Sequence, residues 1–174
     1  MVSGLPASGK TTLARSLSAA LELPLLDKDD LLEALLDTLG VESPDERARL
    51  SRASDAVMQR VAEASSGAVL SSFWRRDSLS VTSGTPTAWL RDLKDVVEVY
   101  CACPAQEAAE RFHARTRHAG HFDASKSFTE SVRHNEQLAA TLPLGIGPLV
   151  RVDTTRPVDV PAVVAAVQAA VNRK

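Results

Sequence analysis

Apolar residues along this chain gather in two ways: short, mainly apolar runs, and longer stretches in which leucine, valine or alanine returns every third or fourth position. The short runs, LPLL at 23–26, AVLSSF at 68–73, VVEVYC at 96–101 and LVRV at 149–152, read as strands. The periodic stretches read as helices. Between 10 and about 22, Leu13, Leu17, Ala20 and Leu21 share one helical face; between 29 and 39, Leu31, Leu32, Leu35, Leu36 and Leu39 do so, and Gly40 ends the pattern. Ser43-Pro44-Asp45-Glu46 is a capping box with proline at the first helical position, opening a helix that runs to about residue 64, with Gly67 beyond it. Further helices are expected over 87–93, 104 to about 117, and 128–140, and a closing helix carries the stripe Val160, Val163, Val164, Val167 and Val171.

Strands thus alternate with helices, and the strand interiors are apolar instead of strictly alternating. This predicts an α/β fold whose parallel sheet is covered on both faces. The expectation is one three-layer domain over 1–174 with about five strands. Ligands of such sheets sit beyond the carboxyl ends of the strands, so chemistry is sought in the residues just after each run.

The strongest such signal lies near the start. Gly4-Leu5-Pro6-Ala7-Ser8-Gly9-Lys10-Thr11 fills the phosphate-binding (Walker A) pattern G-x-x-x-x-G-K-[ST] and opens an amphipathic helix. Its backbone N–H groups are expected to cradle phosphate, with Lys10 at the β/γ oxygens, Thr11 ligating Mg²⁺ and Thr12 next to it in the first turn. The positive end of the helix aims at the same anion. ATP and Mg²⁺ are the implied cofactors. Only Met1, Val2 and Ser3 precede the first glycine, so the feeding strand is expected to be short or the natural chain to begin earlier.

Composition narrows the partners. At 174 residues, net charge −2 and pI about 6.1, the chain does not suit wrapping a duplex, and no apolar run reaches membrane-span length. A soluble, cytoplasmic protein is expected, monomeric or homodimeric. Cys101 and Cys103, at alternate strand positions, are expected to pack as small apolar groups in a reducing compartment.

After the second strand stands Asp27-Lys28-Asp29-Asp30. A carboxylate there can orient an acceptor hydroxyl and take its proton, a role assigned to Asp29, while Asp27 or Asp30 caps the next helix. After the third strand come Phe73, Trp74, Arg75 and Arg76 in place of the acid that motors and switches carry near a strand end. Asp27, Phe73, Trp74 and Arg75 are therefore candidate contacts to the acceptor, the arginines suiting an anionic group on it; the plainer reading is core aromatics and a solvated turn. Arg111, Arg115 and Arg117 lead into a loop over 118–125 and form a lid region at about 111–127, with Arg115 the first choice for neutralising the transferring group. Arg111 and Arg115 are expected on one helical face, or salt-bridged to Glu107 and Glu110. His113, His118, His121 and His134 lack co-ligands at a recognised spacing and read as surface or lid residues. Thr155, in Asp153-Thr154-Thr155, can border the nucleotide.

On GLPASGKTTLA, LLDKDD, RFHARTRHAGHFD and VDTTRPVD, spread over nearly the whole chain, the sequence resembles the small P-loop kinases typified by chloramphenicol phosphotransferase-like, gluconate kinase-like and polynucleotide kinase-like enzymes. The resemblance implies a P-loop NTPase fold with a small helical lid and ATP-dependent phosphorylation of a hydroxyl. It puts Lys10 and Thr11 at the nucleotide, Asp29 in the acceptor-activating position and Arg115 in the lid. Polynucleotide kinases of this type carry an arginine three residues after that aspartate, where this chain has Leu32, and residues 1–66 hold 7 Lys+Arg against 11 Asp+Glu. A small molecule is thus a better acceptor than nucleic acid. The competing functions are a 5′-hydroxyl kinase on nucleic-acid ends and a nucleotide-binding regulatory module without transfer.

Overall fold

A computed structural model of the chain describes residues 1–76, 84–122 and 127–172. In order, the elements are β1 (Val2–Gly4), α1 (Lys10–Leu21), β2 (Leu25–Asp27), α2 (Lys28–Leu39), α3 (Pro44–Ala64), β3 (Val69–Ser71), β4 (Trp74–Arg75), β5 (Thr85–Pro86), β6 (Glu98–Ala102), α4 (Ala105–Ala114), α5 (Phe128–Ala139), β7 (Leu149–Asp153) and α6 (Val160–Val171), with 3₁₀ turns at Ala88–Arg91 and Ala119–His121. Five strands form one parallel sheet in the order β2-β3-β1-β6-β7. The chain runs from β1 to β2 and β3 on one side and then crosses to β6 and β7 on the other, so β1 lies beside the topological switch point where open α/β sheets bind ligands.

Residues that alternate along the strands sort the core into two layers. Val2, Val69, Val99, Cys101 and Val152 pack against Leu13, Ala14 and Leu17 of α1 and Val163 of α6. Leu70 faces the other way, toward Met58 and Ala62 of α3 and the pair Trp74 and Trp89. A third cluster, Leu5 with Cys103 and Ala108, joins the loop after β1 to α4. The three-layer α/β expectation therefore holds. β1 is short, and β2 and β3 are equally three residues long.

Other boundaries moved for physical reasons. β6 ends at Ala102, so Cys103 leaves the strand and packs apart from Cys101; both thiols are free and buried. The helix expected to reach 117 stops at Ala114, where Arg115 turns extended (φ −93, ψ 145). Below the sheet, Glu98 is fully buried and accepts from the Ser3 hydroxyl (2.6 Å) and the Leu144 and Gly145 amides (2.8 Å each), tying β1, β6 and the 144–146 turn together.

Candidate active site

The loop after β1 is seated on β6. Gly4 has φ +143, and a Cβ there would lie 2.6 Å from Ser8 Oγ and 2.8 Å from the Cys101 carbonyl oxygen. Ala7 (φ 59) and Gly9 (φ 90) are left-handed, curling the backbone into a concavity, and the Ser8 amide donates to the Leu5 carbonyl (3.1 Å). The start of the next helix differs from four of the five others in lacking a side-chain cap, and from the fifth, α4, which has no side-chain cap either, in having no acid in its first turn. Helices α2, α3, α5 and α6 are each capped by a side-chain oxygen, from Asp27, Ser43, Ser127 and Asp159. Helix α1 has no side-chain cap and no acid in its first turn, leaving its leading amides for an outside acceptor. Lys10 reaches back so that Nζ donates to the Leu5 carbonyl at 2.7 Å. Burial pulls its pKa down to about 8, a shift that Arg115 reinforces and that Asp29 and Asp27 oppose.

Asp27, the last residue of β2, is buried. Its Oδ1 accepts from the Asp29 amide at 2.9 Å, capping α2, while its buried Oδ2 has no hydrogen bond. Burial raises its pKa, and the neighbouring hydroxyls of Thr11 and Ser71 together with that amide work the other way. A carboxylate oxygen without a donor, beside the P-loop threonine, fits a hard divalent cation.

One face of α2 carries carboxylates at successive turns, and each takes a residue from the segment after α4. Arg117 Nη2 pairs with Asp29 at 3.0 Å, buried His121 meets Glu33 at 2.8 Å, and His118 meets Asp37 at 2.9 Å. Arg117 also contacts the His121 ring at 3.1 Å, and Arg115 stacks over Phe112 at 5.2 Å from the ring centre. These contacts, stronger than helix propensity at a helix end, explain why α4 stops early and 115–121 crosses to α2.

Between these parts lies a cleft of about 1050 Å³. That is the upper end of the roughly 300–1,000 Å³ range of single small-molecule pockets. The P-loop, from Pro6 and Ala7 to Thr12, forms one wall, with Asp27, Asp29, Arg111, Arg115 and Arg117 around it. A second wall comes from α3, whose Arg47, Ser51, Arg52 and Asp55 recur at helical spacing, and from Ser72, Phe73, Arg75 and Pro86. Lys28 is buried against this wall, with Nζ 2.8 Å from Ser51 Oγ and 3.1 Å from Asp55, which also accepts from the Thr85 hydroxyl at 2.7 Å.

Most sequence-selected residues converge here, with corrections. Trp74 does not line the cleft: it is buried against Trp89 and donates through Nε1 to the Val2 carbonyl (2.7 Å), so it supports β1. Arg76 turns outward to the Pro143 carbonyl. Gly4 and Ser8 are buried beneath the loop and shape it from below. Thr155 is exposed and bonded to Asp153; it is Thr154 that packs near Gly9. Arg111 lines the cleft but is held by Glu107 and the Thr154 carbonyl, and it does not share a helical face with Arg115, which is outside the helix. His121 is buried, not a surface residue. Among the described residues no group of three potential metal ligands of the His/Cys/Asp/Glu type occurs. Asp123 and Ser125 of the expected lid, together with residues 77–83, lie outside the described residues. Lys28 and the α3 wall were not among the residues selected from sequence. Their signal was present as polar residues at helical spacing (47, 51, 55) on a helix whose apolar positions lie elsewhere.

Comparison with known proteins places this geometry. A family described as AAA domain matches residues 1–140. A candidate kinase from Chloroflexus aurantiacus is similar in structure with 29% identity over 97% of this chain and 96% of that one, at a TM-score of 0.75. Shikimate kinase from Acinetobacter baumannii, solved with shikimate, covers 97% of this chain and 87% of its own at 16% identity and TM-score 0.61. A gluconokinase from Sinorhizobium meliloti covers 99% and 90% at 19% identity and TM-score 0.53. No curated protein matches by sequence. Among the described residues, no helix is long and apolar enough to cross a membrane.

Proposed function

The chain belongs to the AAA domain family, in its small P-loop kinase form, and from that premise we propose that it transfers the γ-phosphoryl group of ATP to a hydroxyl of a small molecule. The observation that carries this reading is the pairing, in one cleft, of an uncapped phosphate loop with a second polar wall large enough for an acceptor. The kinase names of the structural relatives support it.

Each residue has a task in this reaction. The α1 amides and Lys10 hold the β- and γ-phosphates; Lys10 exchanges its bond to the Leu5 carbonyl for phosphate oxygens and regains its full charge. Thr11 and Asp27 would hold Mg²⁺, which neutralises charge on the phosphates. Asp29 orients the acceptor hydroxyl and takes its proton once the Arg117 ion pair loosens. Arg115, already close enough to Lys10 to lower its pKa, faces the transferring group.

Lys10→Ala is expected to lose nucleotide affinity and transfer together. Asp29→Asn should keep the nucleotide and lose transfer, monitored as phosphorylated product by mass spectrometry from acceptor panels. Undiminished turnover by Asp29→Asn would refute the base assignment. Tight nucleotide binding with no product from any acceptor would refute the kinase reading in favour of a regulatory module.

A further inference from the structure

Resting on the phosphotransfer reading above, we propose that the acceptor is an anion: a hydroxyl compound bearing a carboxylate or phosphate that docks on Arg47 and Arg52 of α3. The balance of charge in the cleft points there. Lys28 is matched by Asp55 at 3.1 Å, Arg117 by Asp29 at 3.0 Å and Arg111 by Glu107. Among the described residues, no carboxylate lies within ion-pair distance of Arg47 or Arg52, although both line the cleft. Arg47 Nε is moreover buried without a hydrogen-bond partner. A buried guanidinium donor left without an acceptor is costly, and a neutral hydroxyl would fill the bond without answering the charge.

The excess is not inherited from composition. The first 66 residues carry 7 Lys+Arg against 11 Asp+Glu, yet the part of α3 facing the cleft contributes two arginines without a carboxylate partner among the described residues, Arg47 half-buried and Arg52 exposed at the rim. They stand on the wall built with Ser72 and Phe73, distinct from the P-loop wall that receives the nucleotide. Asp55 is occupied by Lys28 and the Thr85 hydroxyl, so it steadies that wall without offsetting the arginines. Guanidinium groups in this setting match the paired oxygens of carboxylate or phosphate.

The test uses hydroxy acids, each with its primary amide, and sugar phosphates, each with its parent sugar. Binding to the ADP-loaded protein is measured by calorimetry, and transfer from ATP by mass spectrometry. The anionic member of at least one pair should bind and be phosphorylated, with its neutral partner at least about tenfold weaker; which series responds tells carboxylate from phosphate. Arg47→Gln and Arg52→Gln should each weaken anion binding about ten- to a hundredfold, with Arg47→Lys recovering part of the loss. Unchanged ADP affinity in the three variants reports an intact fold. Neutral acceptors used as well as anionic ones, or full anion affinity in the glutamine variants, overturns the anionic acceptor and leaves phosphotransfer standing. No anion bound at millimolar concentration overturns it as well. Arginine-dependent anion binding without product refutes phosphotransfer and keeps the anion site.

Discussion

Lys10 makes nucleotide affinity a function of pH, and its surroundings set the size of the effect. Burial lowers its pKa to about 8 in the ligand-free protein, whereas phosphate oxygens in place of the Leu5 carbonyl favour the ammonium and return the pKa upward. Below pH 7 the lysine is charged with or without ligand, and its contribution to affinity does not change with pH. At pH 9 only about one free molecule in eleven is protonated, so ADP affinity should be about tenfold lower than its plateau, equivalent to about 1.4 kcal/mol. Cys101 beside it is pushed up to about 12 by burial and stays a neutral thiol over this range. Titrating Mg²⁺·ADP calorimetrically at pH 7, 8, 9 and 9.5, with Lys10→Met alongside, reads the effect. The wild type should lose affinity through this window and the variant should start weak and stay flat. A flat wild-type profile, or an equal decline in both proteins, would remove Lys10 as the titrating group. Stability of the ligand-free protein carries the opposite sign. The folded pKa lies below the unfolded value of about 10.5, so between about pH 8 and 10.5 the unfolded chain binds more protons. Stability from this group therefore rises with pH in that window, by up to about 3 kcal/mol.

Three further outcomes test other parts. Gly4→Ala sets a Cβ 2.6 Å from Ser8 Oγ and 2.8 Å from the Cys101 carbonyl oxygen; it should cost about 1–3 kcal/mol in urea unfolding, with a loss of nucleotide affinity greater than stability alone explains. Glu98→Ala leaves the buried Ser3, Leu144 and Gly145 donors without their acceptor and should cost about 3–5 kcal/mol by the same measurement, a large share of the stability of a domain this size. Glu33→Gln weakens the contact to buried His121; amide exchange over 118–121 should quicken about fivefold, as a loss near 1 kcal/mol implies, with the unfolding midpoint nearly unchanged.

The sheet, its helices and the phosphate loop were legible because each rests on a repeating or contiguous pattern. Apolar runs marked four of the five sheet strands, and the fifth was marked by the phosphate loop from Gly4 to Thr11 that it feeds. Asp27 and Asp29 were legible as a pair, but their division of labour was not: the cap is the residue with the buried, unsatisfied oxygen, and adjacency in sequence cannot reveal that. Trp74 was left open between cleft and core because an aromatic after a strand points either inward or outward according to a two-residue parallel pairing, β4 with β5, too short to leave a periodic signal. Arg115 was expected on the helix that it in fact follows, because the helix end is set by contacts with α2, far away in the chain. The α3 wall was hidden by the same distance: residues 47 to 55 gain meaning only when Lys28 and Thr85 are brought to them.

The uncapped start of α1 has a consequence for the life of the protein. Four of the other helices complete their first turn from their own sequence, whereas this one borrows its last piece from solution. On the proposed phosphotransfer reading, a nucleotide seated there would be a part of the fold as well as a reactant. At one hundred times its dissociation constant such a ligand adds about 2.7 kcal/mol to the folded state. Starvation for nucleotide would therefore thin the population of intact molecules as well as idle them.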